Sequence, residues 1–217
     1  MITWFNQLLS YFKPVALARE RSAISGELEV TIEQGRLLLN ATNVNYSGGS
    51  LYDVFEQVFE ELDLKRVMFN SALILGYGTG CTLKLLLRHP DLHVIGVELD
   101  PVVIEIGKQY FRQSENNYVT VIQEDAFIFI SNTDKQFEII LVDVFVGDVV
   151  PQEGSSLDFW KNLRRSLFPK GYCLVNWMPT TQKSRNRLNS CLLYARELFS
   201  SVQTIYCLDN VIIACRP

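Results

Sequence analysis

The sequence predicts an α/β fold in which a doubly wound, mostly parallel sheet of seven strands carries a small N-terminal appendage. Two observations support this prediction. Short apolar runs alternate with helical segments from residue 71 onward, and a glycine-rich loop joins the first of these runs to a helix. Such alternation is typical of a parallel sheet with helices on both faces. The composition, 48% hydrophobic and 20% charged over 217 residues, is that of a globular chain.

The larger domain is predicted element by element from hydrophobic periodicity. Parallel strands buried on both faces are indicated by five apolar runs: 72–75, 94–97, 119–122, 137–142 and 172–175. Helices are indicated at 51–65, 80–89, 101–112, 124–131, 155–168 and 181–199. The last two strands, at 201–207 and 210–215, form a hairpin that makes the sheet mixed.

The chain divides near residue 50, with the appendage at 1–50 and the α/β domain at 51–217. An amphipathic pattern that ends at Pro14 predicts an N-terminal helix, packed on the domain or on a second subunit. Attachment of its aromatic side chains to a membrane surface is the alternative. Alternating residues with a central Gln-Gly turn predict a β-hairpin at 24–42, and a glycine-rich stretch at 45–50 predicts a polar connector.

Composition argues against several classes of protein. The net charge of −4 lacks the basic excess of most nucleic-acid-binding proteins. No run approaches the roughly 18 apolar residues of a membrane span, and the N-terminus lacks the features of a secretory signal. Five cysteines without C-x-x-C spacing argue against a disulfide framework and favour the cytoplasm. No metal is expected, because Pro90 breaks the helix that would pair His89 with His93.

The strongest local motif is the loop Gly76-Tyr77-Gly78-Thr79-Gly80 between a strand and a helix. Its glycines permit positive φ angles and close ligand contact, and the following helix start favours an anionic or hydroxyl-rich ligand. Glu98 ends the next strand, 22 residues after Gly76, where an acid can bind ribose hydroxyls. The G-x-G-x-G spacing favours a nucleoside over a dinucleotide, and no P-loop lysine follows. A purely structural turn is the alternative.

Two further acids follow strands of the predicted sheet. Asp125 comes just after the third strand, where it can accept a hydrogen bond from an adenine amine, cap the next helix, or do both. Asp143 ends the fourth strand. Ligands of such sheets bind at the carboxyl ends of the strands, so Asp143 is a candidate site residue rather than a solvated strand end.

Residues 26–215 resemble the spermidine synthase family within the Rossmann-like S-adenosylmethionine-dependent transferases. The resemblance lies in LILGYGTG, VELDP, the EDA step, VDVFVGDVVP and Tyr52 before the first core helix. It implies a Rossmann-like methyltransferase fold that binds S-adenosylmethionine or its decarboxylated form. The implied cofactor contacts are Gly76, Gly78 and Gly80 at the nucleoside and methionine portion, Glu98 at the ribose, and Asp125 and Ala126 at the adenine. Their neighbours Tyr77, Thr79 and Leu99 complete the implied cofactor-binding set.

Three acids of the resembled family are replaced by neutral residues here. Thr79 stands at the Asp of G-G-G-D-G-G, Val146 at the second Asp of D-x-x-D, and Val54 at the Glu of Tyr-x-Glu. A polyamine arrives protonated, because its amines have a pKa like that of lysine, ~10.4. The loss of these acids therefore disfavours aminopropyl transfer unless Asp148 or Glu153 replaces them. Methyl transfer depends mainly on positioning and tolerates the loss better.

The resemblance and the replaced acids together predict an S-adenosylmethionine-dependent, methyltransferase-like enzyme acting on a small molecule, with amines among the candidate acceptors. Asp143 is the candidate base or substrate anchor, assisted by Asp148 and Tyr52. No nucleic-acid or membrane partner is expected, and a homodimer is one open arrangement. The alternatives are an aminopropyltransferase using the decarboxylated cofactor and a non-catalytic nucleoside-binding relative; a nicotinamide-dependent oxidoreductase fits the glycine spacing less well. The basic residues Lys183, Arg185 and Arg187 are expected at a solvated helix start, with a small basic patch as the alternative.

Overall fold

The computed structural model describes residues 4–41, 44–47, 50–87, 92–111, 118–147 and 149–217. The N-terminal elements are α1 (Trp4–Leu9), β1 (Val15–Ser22), β2 (Gly26–Glu33), β3 (Arg36–Ala41) and β4 (Val44–Ser47). The elements of the larger domain are α2 (Ser50–Glu61), β5 (Ser71–Leu75), α3 (Leu83–Leu86), β6 (His93–Glu98), α4 (Pro101–Tyr110), β7 (Val119–Gln123), α5 (Ala126–Asn132), β8 (Phe137–Val142), α6 (Leu157–Arg165), β9 (Leu167–Trp177), α7 (Gln182–Leu198), β10 (Ser201–Cys207) and β11 (Asn210–Arg216).

The predicted α/β architecture is confirmed in a seven-stranded sheet of order β10-β11-β9-β8-β5-β6-β7. Strands β5 to β9 are parallel, and the terminal hairpin joins them antiparallel through β11. Strand β5 lies between β6 and β8, so the connections that leave β5 and β8 diverge at this point of the sheet. In doubly wound sheets this divergence opens a crevice at the carboxyl ends of the strands.

The N-terminal appendage is a four-stranded antiparallel sheet of order β1-β2-β3-β4 rather than a long helix with one hairpin. The predicted hairpin is confirmed as β2 and β3. The helix is only six residues long, and the predicted connector partly forms β4. Strand β1 has the sequence VALARERS, and most of its side chains are exposed or half-buried. The apolar alternation that identifies a strand is therefore weak in β1.

Helix α4 covers one face of the N-terminal sheet and joins it to the larger domain. Val103 and Ile106 of α4 form a buried cluster with Leu28, Val30 and Leu39. Asp100 caps this helix and is fully buried. Its Oδ2 accepts hydrogen bonds from the hydroxyls of Ser22 and Ser25, which flank the turn between β1 and β2.

Helix α1 and the turn after it expose large apolar side chains. Those exposed are Trp4, Phe5, Leu8, Tyr11 and Phe12. The predicted packing of this helix on the domain is therefore not seen for these side chains, and its contact with a second subunit stays a prediction. None of the helices in the described ranges is long and apolar enough to span a membrane.

Candidate functional site

The loops that follow β5 and β8 are joined through the backbone at the carboxyl edge of the sheet. The Asp143 N–H donates to the Leu75 carbonyl at 2.8 Å, and the Gly76 N–H donates to the Val97 carbonyl at 3.0 Å. Gly76 has a φ of +79°, and a Cβ there would lie 2.2 Å from the Asp143 carbonyl oxygen. Only glycine allows this approach, so the loop brings β5 and the end of β8 together.

Glu98 ends β6 and lies buried behind the glycine loop. Its Oε2 accepts from the Gly78 N–H at 2.8 Å, and its Oε1 accepts from the Asp100 N–H at 3.0 Å. Burial raises the pKa of this carboxyl, against the lowering effect of the backbone N–H groups of Asp100, Gly78 and Leu99. A carboxylate oxygen has more than one lone pair, so each oxygen can accept a further hydroxyl.

The Tyr77 side chain lies under the loop as part of the core. A Cβ at Gly96 of β6 would lie 2.3 Å from Tyr77 Cδ2, and a Cβ at Gly80 would lie 2.7 Å from its hydroxyl oxygen. The ring is thus enclosed between the strand and the loop, where only glycines leave room. The side chain is directed into the core, and the Tyr77 N–H donates to the Val97 carbonyl while its own carbonyl accepts from the Gly80 N–H. The contact of Tyr77 with a cofactor therefore stays a prediction.

We expect Tyr77→Phe to raise the free energy of unfolding by about 1 kcal/mol, because a buried hydroxyl without a partner costs stability. The Tyr77 hydroxyl is buried without a hydrogen-bond partner among the described residues, and burial raises its pKa. Urea denaturation at pH 7 measures the change. Tyr206→Phe is the control, since Tyr206 is exposed and should show no gain. A less stable Tyr77→Phe variant would mean that the hydroxyl has a stabilising partner.

Asp143 lies half-buried just beyond the carboxyl end of β8, beside the glycine loop. Its Oδ1 accepts from Asn176 Nδ2 at 2.9 Å, and Asn176 Oδ1 accepts from Asn210 Nδ2 at 2.9 Å. Burial raises the Asp143 pKa from 3.8 to about 6; the Asn176 bond lowers it, and the negative charge of Glu98 raises it. A carboxyl with a pKa of about 6 is mostly ionised at pH 7 and can accept a proton from a neighbouring donor.

The adenine-side residues of the sequence prediction lie at the same edge of the sheet. Asp125 caps α5, because its Oδ1 accepts from the Phe127 N–H at 2.7 Å and the Ile128 N–H at 3.2 Å. Ala126, which follows it, is buried, whereas Leu99, directly after β6, is exposed, as is Ile128. Asp125 therefore performs the capping role that the sequence allowed, and its contact with adenine stays a prediction.

The predicted assisting residues are placed only in part. The Tyr52 hydroxyl donates to Glu56 Oε1 at 3.2 Å along α2, and its ring packs against the core layer that includes Tyr77. Asp148 lies outside the described residues. Glu153 is exposed in a short 3₁₀ turn. The three neutral replacements differ in exposure: Val54 and Thr79 are buried, and Val146 is 72% exposed.

Sequence reasoning missed the role of Arg187. Rather than facing solvent, its guanidinium donates to the carbonyls of Val150 and Pro151 and to the Ser155 hydroxyl. It also lies over the Trp177 ring at 5.4 Å. Arg187 thus fixes the loop that follows Asp143 onto α7. An arginine six residues beyond Thr181, the residue that caps α7, carries no local signal of this contact.

The amides of Asn176 and Asn210 were also missed, and here a signal was present. Asn176 interrupts the apolar run of β9, where an unpaired polar side chain would be costly.

Two cavities of about 330 and 350 Å³ lie in the N-terminal region and along α4, away from the glycine loop. Within the described ranges, no three His, Cys, Asp or Glu side chains cluster as metal ligands would.

Comparison with known proteins identifies relatives of two chemical kinds. A probable polyamine aminopropyl transferase of Bifidobacterium longum is 34% identical over 108 residues, which cover 49% of this chain and 24% of that protein. An N-terminal histidine N-methyltransferase of Emericella nidulans is 31% identical over 149 residues, which cover 61% of this chain and 26% of that protein. This chain thus spans about a quarter of each of these relatives.

The fold and a family model agree on the relationship. A probable spermidine synthase from Corynebacterium glutamicum superposes with a TM-score of 0.75 at 18% identity, over 93% of this chain and 79% of that one, which shows a shared fold. The model described as the spermine/spermidine synthase domain matches residues 64–208. This match covers the parallel strands, the glycine loop, Glu98 and Asp143, and the chain therefore belongs to the spermine/spermidine synthase domain family.

Proposed function

We propose that the chain is an S-adenosylmethionine-dependent transferase that methylates a small acceptor, with Asp143 as the base or acceptor anchor. The observation that carries the proposal is the meeting of Glu98, the glycine loop and Asp143 at the point where the β5 and β8 connections diverge. Both carboxyls have raised pKa values, and the negative charge of Glu98 acts on Asp143, which supports one shared crevice.

The residues present suit the nucleoside part of this cofactor. Glu98 offers carboxylate oxygens to ribose hydroxyls, and Gly76 and Gly78 allow the backbone to approach the ligand. Exposed Leu99 and Ile128 offer apolar surface to an adenine ring, beside the remaining acceptor positions of Asp125. When bound, the cofactor supplies an electrophilic methyl group on a sulfonium.

Asp143 has the protonation behaviour that the transfer requires. With a pKa of about 6 it is mostly ionised at pH 7, so it can take the proton that an acceptor N–H or O–H releases as its lone pair attacks the methyl carbon. The bond from sulfur to that carbon breaks, and its electron pair stays on sulfur. Methyl transfer therefore needs Asp143 and a correctly positioned acceptor, without a set of polyamine-binding acids.

Aminopropyl transfer with the decarboxylated cofactor is the second candidate, favoured by the relative from Bifidobacterium longum. Against it stand the neutral side chains of Val54, Thr79 and Val146. Each hydrogen bond to a charged ammonium is worth about 1.5–3 kcal/mol, and these positions cannot provide one from a carboxylate.

The function is tested by binding and by product analysis. Calorimetry compares S-adenosylmethionine, its decarboxylated form, their nucleoside products and NAD; mass spectrometry then follows a panel of methyl acceptors together with putrescine and spermidine. We expect the methyl donor to bind more tightly than NAD and to give more than one methylated product per chain. Aminopropylated product alone would overturn the proposal in favour of the second candidate. Binding without turnover on any acceptor would indicate a non-catalytic relative.

We expect Glu98→Gln to weaken S-adenosylmethionine binding about tenfold or more, because a charged acceptor for the ribose is lost. Calorimetric titration measures the affinity, and circular dichroism checks that the fold persists. The matched control is Glu105→Gln, an exposed carboxylate on α4, which should bind as the unsubstituted chain does. Equal affinity in the two variants would remove Glu98 from the site.

A further inference from the structure

Three polar side chains form a continuous chain of hydrogen bonds across β8, β9 and β11. Asp143 follows β8, Asn176 lies in β9, and Asn210 begins β11. Asn210 Nδ2 donates to Asn176 Oδ1 at 2.9 Å, and Asn176 Nδ2 donates to Asp143 Oδ1 at 2.9 Å. The two asparagines are 1% and 7% exposed, so the protein interior surrounds both amides.

The carboxylate determines which way both amides point. Ionised Asp143 can only accept hydrogen bonds, so Asn176 must turn its NH₂ group toward it. The carbonyl oxygen of Asn176 then faces Asn210, which must present its own NH₂ group. Rotation of either amide would bring two donors or two acceptors together in a buried place, which is costly.

The register of the sheet explains why these side chains meet. Leu141 of β8 and Leu174 of β9 are partners in the parallel ladder and lie in the same core layer. Asp143 and Asn176 lie two residues further along these strands and therefore point to the same face. Asn176 is also the antiparallel partner of Ile212, which Asn210 precedes by two residues. On this face of the sheet, the apolar layer is thus followed by a polar row made of Asn210, Asn176 and Asp143, which is the candidate base.

We propose that Asn176 and Asn210 are positioning residues for Asp143: Asn210 holds the Asn176 amide, and this amide holds Asp143 Oδ1, which leaves Oδ2 to receive the acceptor's proton. This inference rests on the proposed function, in which Asp143 acts as the base. Burying two amides costs more free energy than burying apolar side chains of similar size, unless both amides are hydrogen-bonded. Here their hydrogen bonds connect them to each other and to Asp143.

The electrostatic consequence of the row is measurable. Burial and the negative charge of Glu98 both raise the Asp143 pKa, whereas the Asn176 bond lowers it. Loss of this bond should therefore raise the Asp143 pKa by about one pH unit or more. Loss of Asn210 should raise it by less, because Asn176 remains but its amide is free to rotate.

The test is an NMR titration of the Asp143 carboxyl carbon in protein labelled at aspartate, with Asp143→Asn used for assignment. Asn176→Ala should raise the pKa above about 6, and Asn210→Ala should raise it to an intermediate value. Ile212→Val, a buried change at the partner of Asn176, is the control and should leave the pKa unchanged. Where an active acceptor is known, the acid limb of the rate profile should move in the same order.

Two results would overturn the inference. An unchanged Asp143 pKa in Asn176→Ala would show that the amide does not act on the carboxylate, and an unchanged value in Asn210→Ala would exclude the outer member of the row. Asn210 does not contact Asp143 and acts on it only through Asn176. Its variant therefore tests the row even if Asn176→Ala does not fold. The titration needs no turnover; a pKa that moves in a chain without transferase activity would contradict the proposed function and leave the row intact.

Discussion

Replacing Asp143 with asparagine is expected to lower turnover by roughly 10²- to 10⁴-fold, the usual contribution of a general base. The same change is expected to stabilise the chain above pH 6. Asparagine can still accept the hydrogen bond from Asn176, since its amide can turn its oxygen toward that donor. The substitution also removes a negative charge whose burial is unfavourable, so the variant should stay folded. A loss of activity would then not reflect loss of the fold.

The sign of the stability effect follows from the raised pKa. Between about pH 4 and pH 6 the folded state binds the Asp143 proton and the unfolded state releases it, so stability falls as pH rises through this window. Above the window the deprotonated, partly desolvated carboxylate costs about 1–3 kcal/mol. Asp143→Asn should therefore be more stable than the unsubstituted chain at pH 8 and similar to it at pH 4.

Single-turnover and steady-state assays measure the activity, and urea denaturation at the two pH values measures the stability. Asp158→Asn is the matched control, because its carboxylate is largely exposed on α6 and should change neither quantity. Full activity in Asp143→Asn would remove Asp143 as the base. An equal stability difference at pH 4 and pH 8 would contradict the buried charge.

Gly76→Ala is expected to lower the free energy of unfolding by about 3 kcal/mol or more, through backbone strain and a steric clash. The backbone there has a φ of +79°, and the new Cβ would lie 2.2 Å from the Asp143 carbonyl oxygen. The loops after β5 and β8 would have to separate, so we also expect weaker binding of S-adenosylmethionine.

Gly26→Ala separates the two causes. Gly26 has a φ of +74° at the start of β2, directly after the turn from β1, and a Cβ there meets nothing within 4 Å. This variant should lose only about 1–2 kcal/mol, the cost of a left-handed conformation for alanine. Urea denaturation of both variants gives the difference that belongs to the close approach. Equal losses would show that the two loops can separate without cost.

The sequence predicted well those features that depend on residues near one another in the chain. The five parallel strands were predicted because each is a short apolar run bounded by helical segments or turns, and the terminal hairpin because a tight link joins its two strands. The glycine loop, Glu98 and Asp143 could be grouped because all parallel strands end at one edge of a sheet. Strand β1 was missed, since its exposed Arg and Glu side chains obscure the alternation.

By itself, the sequence thus determined the α/β class, the succession of parallel strands and helices along the chain, and which acids follow the strands. These features depend on local sequence patterns and on chain direction. Only the tertiary structure decided that Asn176 and Asn210 lead to Asp143 and that Arg187 holds the loop beyond it. Asn176 lies 33 residues from Asp143, and Asn210 lies 34 residues from Asn176. Such contacts depend on strand register and helix placement, which the folded core sets and no local pattern records.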